Sequence, residues 1–548
     1  MSHLSHLLVV APLVGLVSWF IVPLAKRAFR YLPPGPKGLP FIGDVKHASD
    51  QSWLASPQRK DDYGDTVDLQ LNLFRNVLTH LSGELMYLSV FGQGILVVNS
   101  QRVAVDLLEK RSNIYSDRPR YISFNEFLTE NLTFAFTGYG DLYATRHSVF
   151  FLRLFPIDGA GSGVLQWKAS RNLSYQTSTP SRVVKAIMLA LSLMKSSLMK
   201  KHFQRHAWSI ILSINYHLPP VESEDDPVIV GVVNHVERAA RELRPGARLV
   251  EYFPWMRYVP SRFAKWKRDA QYWFIQDSLR HEPLLSKVAD DLAKGIDQPS
   301  FGATLIKNQG KYHLSERERA WLVGDMLSAG GNTTSTTLHW WLLALLAHPE
   351  VQVLAQAELD EVVGCARPPT FADLPSLPYI RAMVKEALRW SPTAPFGVPR
   401  ASSADDWYEG MFIPKGTIIF PNMRVINFET AVFGVDSARF NPARYLDEKG
   451  RVKVVMEGRE EGHMTFGYGR RVCPGRLVAE GTLGIDFATL LWALRFERPE
   501  GAQGELDVHT LVHTGIGANG HPAPFECKAV PRFAEAEVLL KEALNLYE

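Results

Sequence analysis

Residues 466–475 read Phe466-Gly467-Tyr468-Gly469-Arg470-Arg471-Val472-Cys473-Pro474-Gly475. One cysteine stands in a glycine-containing loop, with an aromatic residue ahead of it and arginines beside it. A haem-thiolate site needs those residue types in that order. Glycine lets the backbone come close to a flat macrocycle. A cysteine thiolate can be an axial iron ligand that pushes electron density towards O–O cleavage. Arg471 can meet a haem propionate through a charge-assisted hydrogen bond. A solitary cysteine is otherwise a small buried hydrophobe, so the argument rests on several residue types held in register.

The pattern F-x-x-G-x-R-x-C-x-G resembles the cysteine-ligand loop of the cytochromes P450, and Phe466, Gly469, Arg471, Cys473 and Gly475 fill its fixed positions. The resemblance implies haem b with Cys473 as the axial ligand to iron. It also implies Phe466, Arg471 and Gly475 as haem contacts.

The chain has 548 residues, 46% hydrophobic and 21% charged, which suits a globular protein with a large core. Its net charge of +3 is nearly balanced and demands no nucleic-acid partner. Cys365, Cys473 and Cys527 are its three cysteines, too few for a disulfide framework. Cys527 lacks a glycine loop and reads as a packing residue. No Cys/His cluster suggests structural zinc.

The N-terminus is apolar from Leu7 to Leu24, and Lys26, Arg27 and Arg30 follow. That length is near the lower limit for a bilayer span, and the basic flank favours a cytosolic C-terminal bulk. The reading is a single-pass signal anchor over 1–30 rather than a cleaved signal peptide. Residues 31–44, with Leu32-Pro33-Pro34-Gly35-Pro36, read as a stiff extended hinge because proline fixes φ and removes donors. The resemblance places such a chain in the endoplasmic reticulum membrane with its catalytic domain, 45–548, in the cytosol.

Apolar spacing gives the coarse organisation. Met86–Val98 reads as a hairpin and Ser100–Lys110 as a helix. Ser315 and Glu318 form a capping box that opens a long buried helix to about Ala347. Helices follow over Val351–Val363, Leu377–Trp390 and Gly481–Leu494. Phe412–Phe420, with its Pro-Lys-Gly turn, reads as a short hairpin. The fold class is mainly α with small β-sheets, and the resemblance makes it a cytochrome P450-like fold with an N-terminal membrane anchor. Two stretches, 65–83 and 143–166, show no clear periodicity and read as atypical inserts, of the kind a retained intron would leave.

Three further constellations support the resemblance. Glu386 and Arg389 lie three apart on a helix and can pair. With Arg444 downstream they resemble the family's structural glutamate–arginine–arginine network, although Ala443 stands where an acid is common. Ala329-Gly330-Gly331-Asn332-Thr333 resembles the oxygen-side motif of the long helix. There the glycines would open the helix, and Thr333 would help deliver protons on the oxygen side of the haem. Asn332 replaces the usual carboxylic acid, and an amide cannot shuttle a proton in the same way. The competing reading makes the glycines a packing contact, with threonines bonding back to the helix. Trp167 and Arg171 resemble the helix that meets the haem propionates, but they follow Tyr139-Gly140-Asp141 only after residues 143–166. Arg400 resembles the position from which a basic residue reaches a propionate.

By the same resemblance the substrate pocket draws on the loop Phe124–Phe136, Met326, Ala329, Phe396, Val398 and Ile516. The implied function is a monooxygenase of fungal microsomal type acting on an apolar small molecule, in secondary metabolism by family habit. Electrons would come from NADPH through NADPH-cytochrome P450 reductase, with cytochrome b5 as a further partner, because the chain has no dinucleotide fingerprint of its own. Two alternatives stay open: a haem-thiolate isomerase, dehydratase or peroxygenase, and an inactive membrane-anchored relative disabled by the inserts.

Overall fold

The computed structural model describes residues 31–35, 83–154, 194–223, 225–243, 247–453, 462–502, 506, 511–512 and 520–545. The anchor 1–30, residues 36–44 of the hinge and 65–82 lie outside the described residues. Among the described residues, no helix is long and apolar enough to cross a membrane.

Helices carry most of the structure. The longer ones are α1 (Asp141–Leu154), α2 (Ser196–Tyr216), α3 (Pro227–Glu242), α4 (Lys265–Ala293) and α5 (Glu316–Ala347). They continue with α6 (Pro349–Val362), α7 (Pro378–Trp390), α8 (Arg476–Ala493) and α9 (Ala536–Asn545). The strands are β1 (Leu85–Val90), β2 (Gln93–Val98), β3 (Met194–Lys195), β4 (Arg400–Ala401), β5 (Asp406–Tyr408) and β6 (Met411–Ile413). β7 (Ile418–Pro421), β8 (Leu494–Glu497), β9 (Leu511–Val512), β10 (His521–Pro522) and β11 (Glu526–Pro531) complete them. They form small sheets in the orders β1-β2-β7-β4, β3-β11-β8, β5-β6 and β9-β10.

The long helix α5 is the spine. Ser315 accepts from the Glu318 amide at 3.2 Å while Glu318 accepts from the Ser315 amide at 2.9 Å, so the capping box satisfies orphan donors at both positions. Downstream, Leu338–Leu346 are buried against α6, α7 and α8, and Trp341 stacks on Phe487 with ring centroids 4.2 Å apart. Upstream, Leu322, Val323 and Leu327 join Trp208, Ile210 and Ile211 of α2 in a second cluster.

Two expectations change here. The helix does not open at its glycines: α5 runs unbroken through Ala329–Thr334. A β-carbon at Gly330 would lie 2.6 Å from Ile211, and one at Gly331 would lie 2.3 Å from Trp208. The glycines therefore let α2 pack closely, and Thr333 donates its hydroxyl back to the Ala329 carbonyl at 2.8 Å. Nor do Phe412–Phe420 form a hairpin. β6 pairs with β5 across Glu409-Gly410, whose φ values of 49° and 77° suit a tight two-residue turn. β7 pairs instead with β2 in parallel and with β4. Pro414-Lys415-Gly416 thus joins two sheets.

Residues 143–154 continue the helix that begins at Asp141, and 155–166 lie outside the described residues. Near the N-terminus, Tyr31–Gly35 lies along the sheets: the Tyr87 amide donates to Pro34 O at 2.8 Å and the Phe412 amide to Tyr31 O at 2.7 Å.

Candidate functional site: the cysteine loop and the helix facing it

The loop over 466–475 is held by its own backbone. The Cys473 amide donates to Phe466 O at 2.8 Å and the Gly467 amide to Met464 O at 2.9 Å. Gly467 and Gly469 have φ of 80° and 47°, the left-handed region that glycine reaches without strain. A β-carbon at Gly469 would sit 2.7 Å from Leu108 O, so glycine is also a steric requirement there. Burial raises the Cys473 thiol pKa, while the Gly475 amide and Arg476 act in the opposite direction. The sulfur stands just ahead of α8, whose first residues from Arg476 are half-buried before the helix enters the core at Thr482. Leu477 and Val478 pack on the cluster containing Met326, Leu327 and Phe134. The start of α8 and the upstream half of α5 therefore share one apolar cluster, and along α5 Ala329 is exposed in mid-helix while Asn332 and Thr333 are half-buried.

Arginines gather on one side of the loop. Arg471 donates to Ser116 O and Thr137 O, each at 2.8 Å, and its guanidinium lies 3.6 Å from the centroid of the Tyr143 ring. Arg400 donates to Leu108 O at 3.2 Å and to Tyr468 O at 2.5 Å. Arg118 donates to Ala135 O at 2.7 Å and Pro399 O at 2.7 Å. All of these acceptors are backbone carbonyls. Burial, then mutual repulsion, pushes Arg118 well below the usual guanidinium range and Arg400 down to about 10. Arg471 shifts down as well, chiefly through burial. Its Nη1 is buried without a hydrogen-bond partner among the described residues, a condition that costs about 1–3 kcal/mol. Three cationic groups with an unused donor fit a dianionic ligand such as the haem propionates, which makes this side of the site compatible with haem.

Arg118 and Tyr143 were not anticipated. Arg118 is half-buried and sits in Ser116-Asp117-Arg118-Pro119, where nothing in the local sequence marks it. Tyr143 stands two residues after Asp141, in a stretch whose sequence shows no clear periodicity. Its hydroxyl donates to Arg470 O at 2.6 Å, and His147, four residues on, lies 5.2 Å from it between ring centroids. Trp167, Arg171 and Ile516 lie outside the described residues.

Behind the loop lies the charged network. Arg389 donates to both oxygens of Glu386, at 2.6 and 2.8 Å, with both side chains fully buried. Arg444 reaches Glu386 at 3.3 Å and Asp436 at 3.0 Å. The Asn441 amide donates to Glu386 at 2.8 Å, and Arg389 donates to Asn427 O at 2.7 Å. Asn427 in turn accepts the Met464 amide at 3.0 Å, two residues before Phe466. Asp436 supplies a carboxylate to Arg444 although Ala443 is not acidic.

Among the anticipated pocket residues, Met326 packs against the cluster that includes Phe134 and Leu327. Phe124 and Phe136 pack with Tyr121, Leu128 and Trp273. Phe396 is half-buried and Val398 is exposed, and both belong to the segment leading to Arg400. Asn332 accepts through its carbonyl from Ser335 and Thr336, at 3.0 and 2.8 Å.

A family model described as Cytochrome P450 matches residues 33–517. A cytochrome P450 monooxygenase of Armillaria gallica is 40% identical over 538 residues, covering 97% of this chain and 96% of the relative. A second from the same fungus is 38% identical over 550 residues, covering 100% and 99%. Cytochrome P450 monooxygenase 58 of Postia placenta is 37% identical over 514 residues, covering 93% and 90%.

Proposed function

The chain belongs to the cytochrome P450 family and is a P450 monooxygenase, and from that premise we propose which residues carry the activity and on what kind of substrate. Haem, when bound, supplies activation of dioxygen, with one oxygen atom entering a substrate C–H bond and the other leaving as water. Cys473 would hold it as thiolate. Arg118, Arg400 and Arg471 would receive its propionates, with Tyr143 stacked on Arg471. The arginine cluster with its unused donor is the observation that carries this assignment. The Glu386–Arg389–Arg444 network would fix the segment that presents Cys473.

Thr333 would hold a proton at Oγ1 on the face of α5 bordering the same space. Its present bond to Ala329 O would have to be exchanged for one to substrate or water. Asn332 can orient a water molecule but cannot itself supply the proton. The substrate would be an apolar small molecule lying against Met326, Ala329 and the loop 124–136, in fungal secondary metabolism. Electrons would arrive from NADPH through NADPH-cytochrome P450 reductase, with cytochrome b5 as a second donor. The apolar run Leu7–Leu24 and its basic flank support a single-pass anchor in the endoplasmic reticulum.

The test is turnover of an apolar substrate panel by the full chain with reductase, NADPH and isotopically labelled dioxygen. One labelled oxygen per product is expected, and Thr333→Ala is expected to lower product formed per NADPH consumed. Product formed without NADPH, or carrying unlabelled oxygen, would overturn the proposal.

A further inference from the structure

The cysteine loop is entered through Met464 and Thr465, and one asparagine from another part of the chain meets both. Asn427 follows the helical turn Met423–Ile426 and is fully buried. Its Oδ1 accepts the Met464 amide at 3.0 Å, and its Nδ2 donates to Thr465 Oγ1 at 2.9 Å. Its carbonyl accepts from Arg389 Nη1 at 2.7 Å. Thr465 Oγ1 in turn donates to Leu388 O at 2.7 Å. Leu388 and Arg389 are neighbours on α7, so these bonds close a ring that ties α7, Asn427 and the loop entrance together. Beyond the ring, the Gly467 amide donates to Met464 O at 2.9 Å and the Cys473 amide to Phe466 O at 2.8 Å. The other side-chain hydrogen bonds of Arg389 go to Glu386 and to Arg439 O, outside the loop.

Nothing local calls for asparagine at 427. Its backbone is right-handed, with φ of −73° and ψ of −9°, and its carbonyl would serve Arg389 beneath any side chain. The side chain answers to the loop instead. A threonine hydroxyl has one proton to give, and Thr465 gives it to Leu388 O. Its oxygen can then only accept, while the Met464 N–H can only donate. A primary amide presents the matching acceptor and donor side by side, and a carboxylate lacks the donor. Hydrogen bonds one step behind a metal ligand orient that ligand. Resting on the haem-thiolate reading above, we propose that Asn427 and Thr465 are positioning residues for Cys473. They carry the placement of the buried Glu386–Arg389 pair to Met464–Phe466, where Phe466 O holds the Cys473 amide, and so fix where the sulfur stands towards iron.

The test uses the haem-loaded full chain with Asn427→Ala, Asn427→Asp, Thr465→Val and Thr465→Ser. Resonance Raman reads the iron–sulfur stretch, and haem transfer to apomyoglobin reads retention. Thr465→Val is expected to shift the stretch and to release haem roughly tenfold faster than the wild type. Thr465→Ser keeps the hydroxyl and is expected to match the wild type in both. Asn427→Ala is expected to follow Thr465→Val, and so is Asn427→Asp, which has no donor for Thr465. Combining Asn427→Ala with Thr465→Val should add little to either change, because both break one ring. Stretch and release unchanged in Thr465→Val overturn the proposal. So does Asn427→Ala with a lowered thermal midpoint but wild-type stretch and release, the result of a purely structural role. Where Asn427→Ala does not fold, the Thr465 pair decides alone. A wild type without the iron–sulfur stretch removes the haem-thiolate reading and this proposal with it, whereas a stretch present and unchanged in every variant removes the positioning roles alone.

Discussion

Arg389 has no exposed surface, and its guanidinium is taken up by Glu386 and the Asn427 carbonyl. Truncating it leaves the Glu386 carboxylate buried with the weaker, 3.3 Å contact to Arg444 as its remaining ion pair. Breaking one partner of a buried pair costs about 3–5 kcal/mol. Arg389→Ala is therefore expected to lower the thermal unfolding midpoint sharply, and Arg389→Lys to do so less, because a lysine keeps the charge but not the fork. A midpoint unchanged in Arg389→Ala would remove the network from the account. At this scale the sequence was readable where chemistry is local. Glu386 and Arg389 are three residues apart and Cys473 sits in a fixed pattern. Asn427 and Arg118 were not readable, because each acquires its role from a partner far along the chain, and Asp436 was not, because its partner Arg444 stands eight residues on, outside any local helix spacing.

Elements show the same division. The capping box located α5, and apolar spacing located α6 and α7 to within two residues at each end. The β5–β6 hairpin was missed because its turn, Glu409-Gly410, was passed over for the stronger Pro-Lys-Gly signal, which joins separate sheets. The helical turn Ile122–Leu128 was also unforeseen. Glu251 clamps it, accepting the Ile122 and Ser123 amides at 2.7 and 2.8 Å. Burial nevertheless pushes the Glu251 carboxyl from 4.5 up to about 7, with Glu242 and Glu126 adding repulsion. Between those values the folded chain holds a proton that the unfolded chain has released, so stability falls as pH rises through that window. Glu251→Gln lacks this slope. Thermal midpoints of the two chains are expected to lie together near pH 4.5 and to separate in favour of Glu251→Gln by about pH 7. The opposite trend, with the wild type gaining as pH rises, would show that the two amide bonds outweigh burial.

For the whole molecule, the site is a meeting of distant segments. Arg118, Tyr143, Arg400 and Arg471 come from four parts of the chain, yet they lie close enough to act on one another, and Arg471 among them keeps an unused buried donor. In the proposed function, Ala329 and Thr333 of α5 would supply the facing wall. Family resemblance made the pairing of these walls foreseeable, but not the place of Tyr143 against Arg471. All of them depend on Cys473 holding haem as a thiolate. The most direct measurement is the carbon-monoxide difference spectrum of the reduced full chain and of Cys473→Ala. The wild type is expected to absorb at the position diagnostic of thiolate ligation and Cys473→Ala to lose that band. The same band persisting in Cys473→Ala would contradict the assignment.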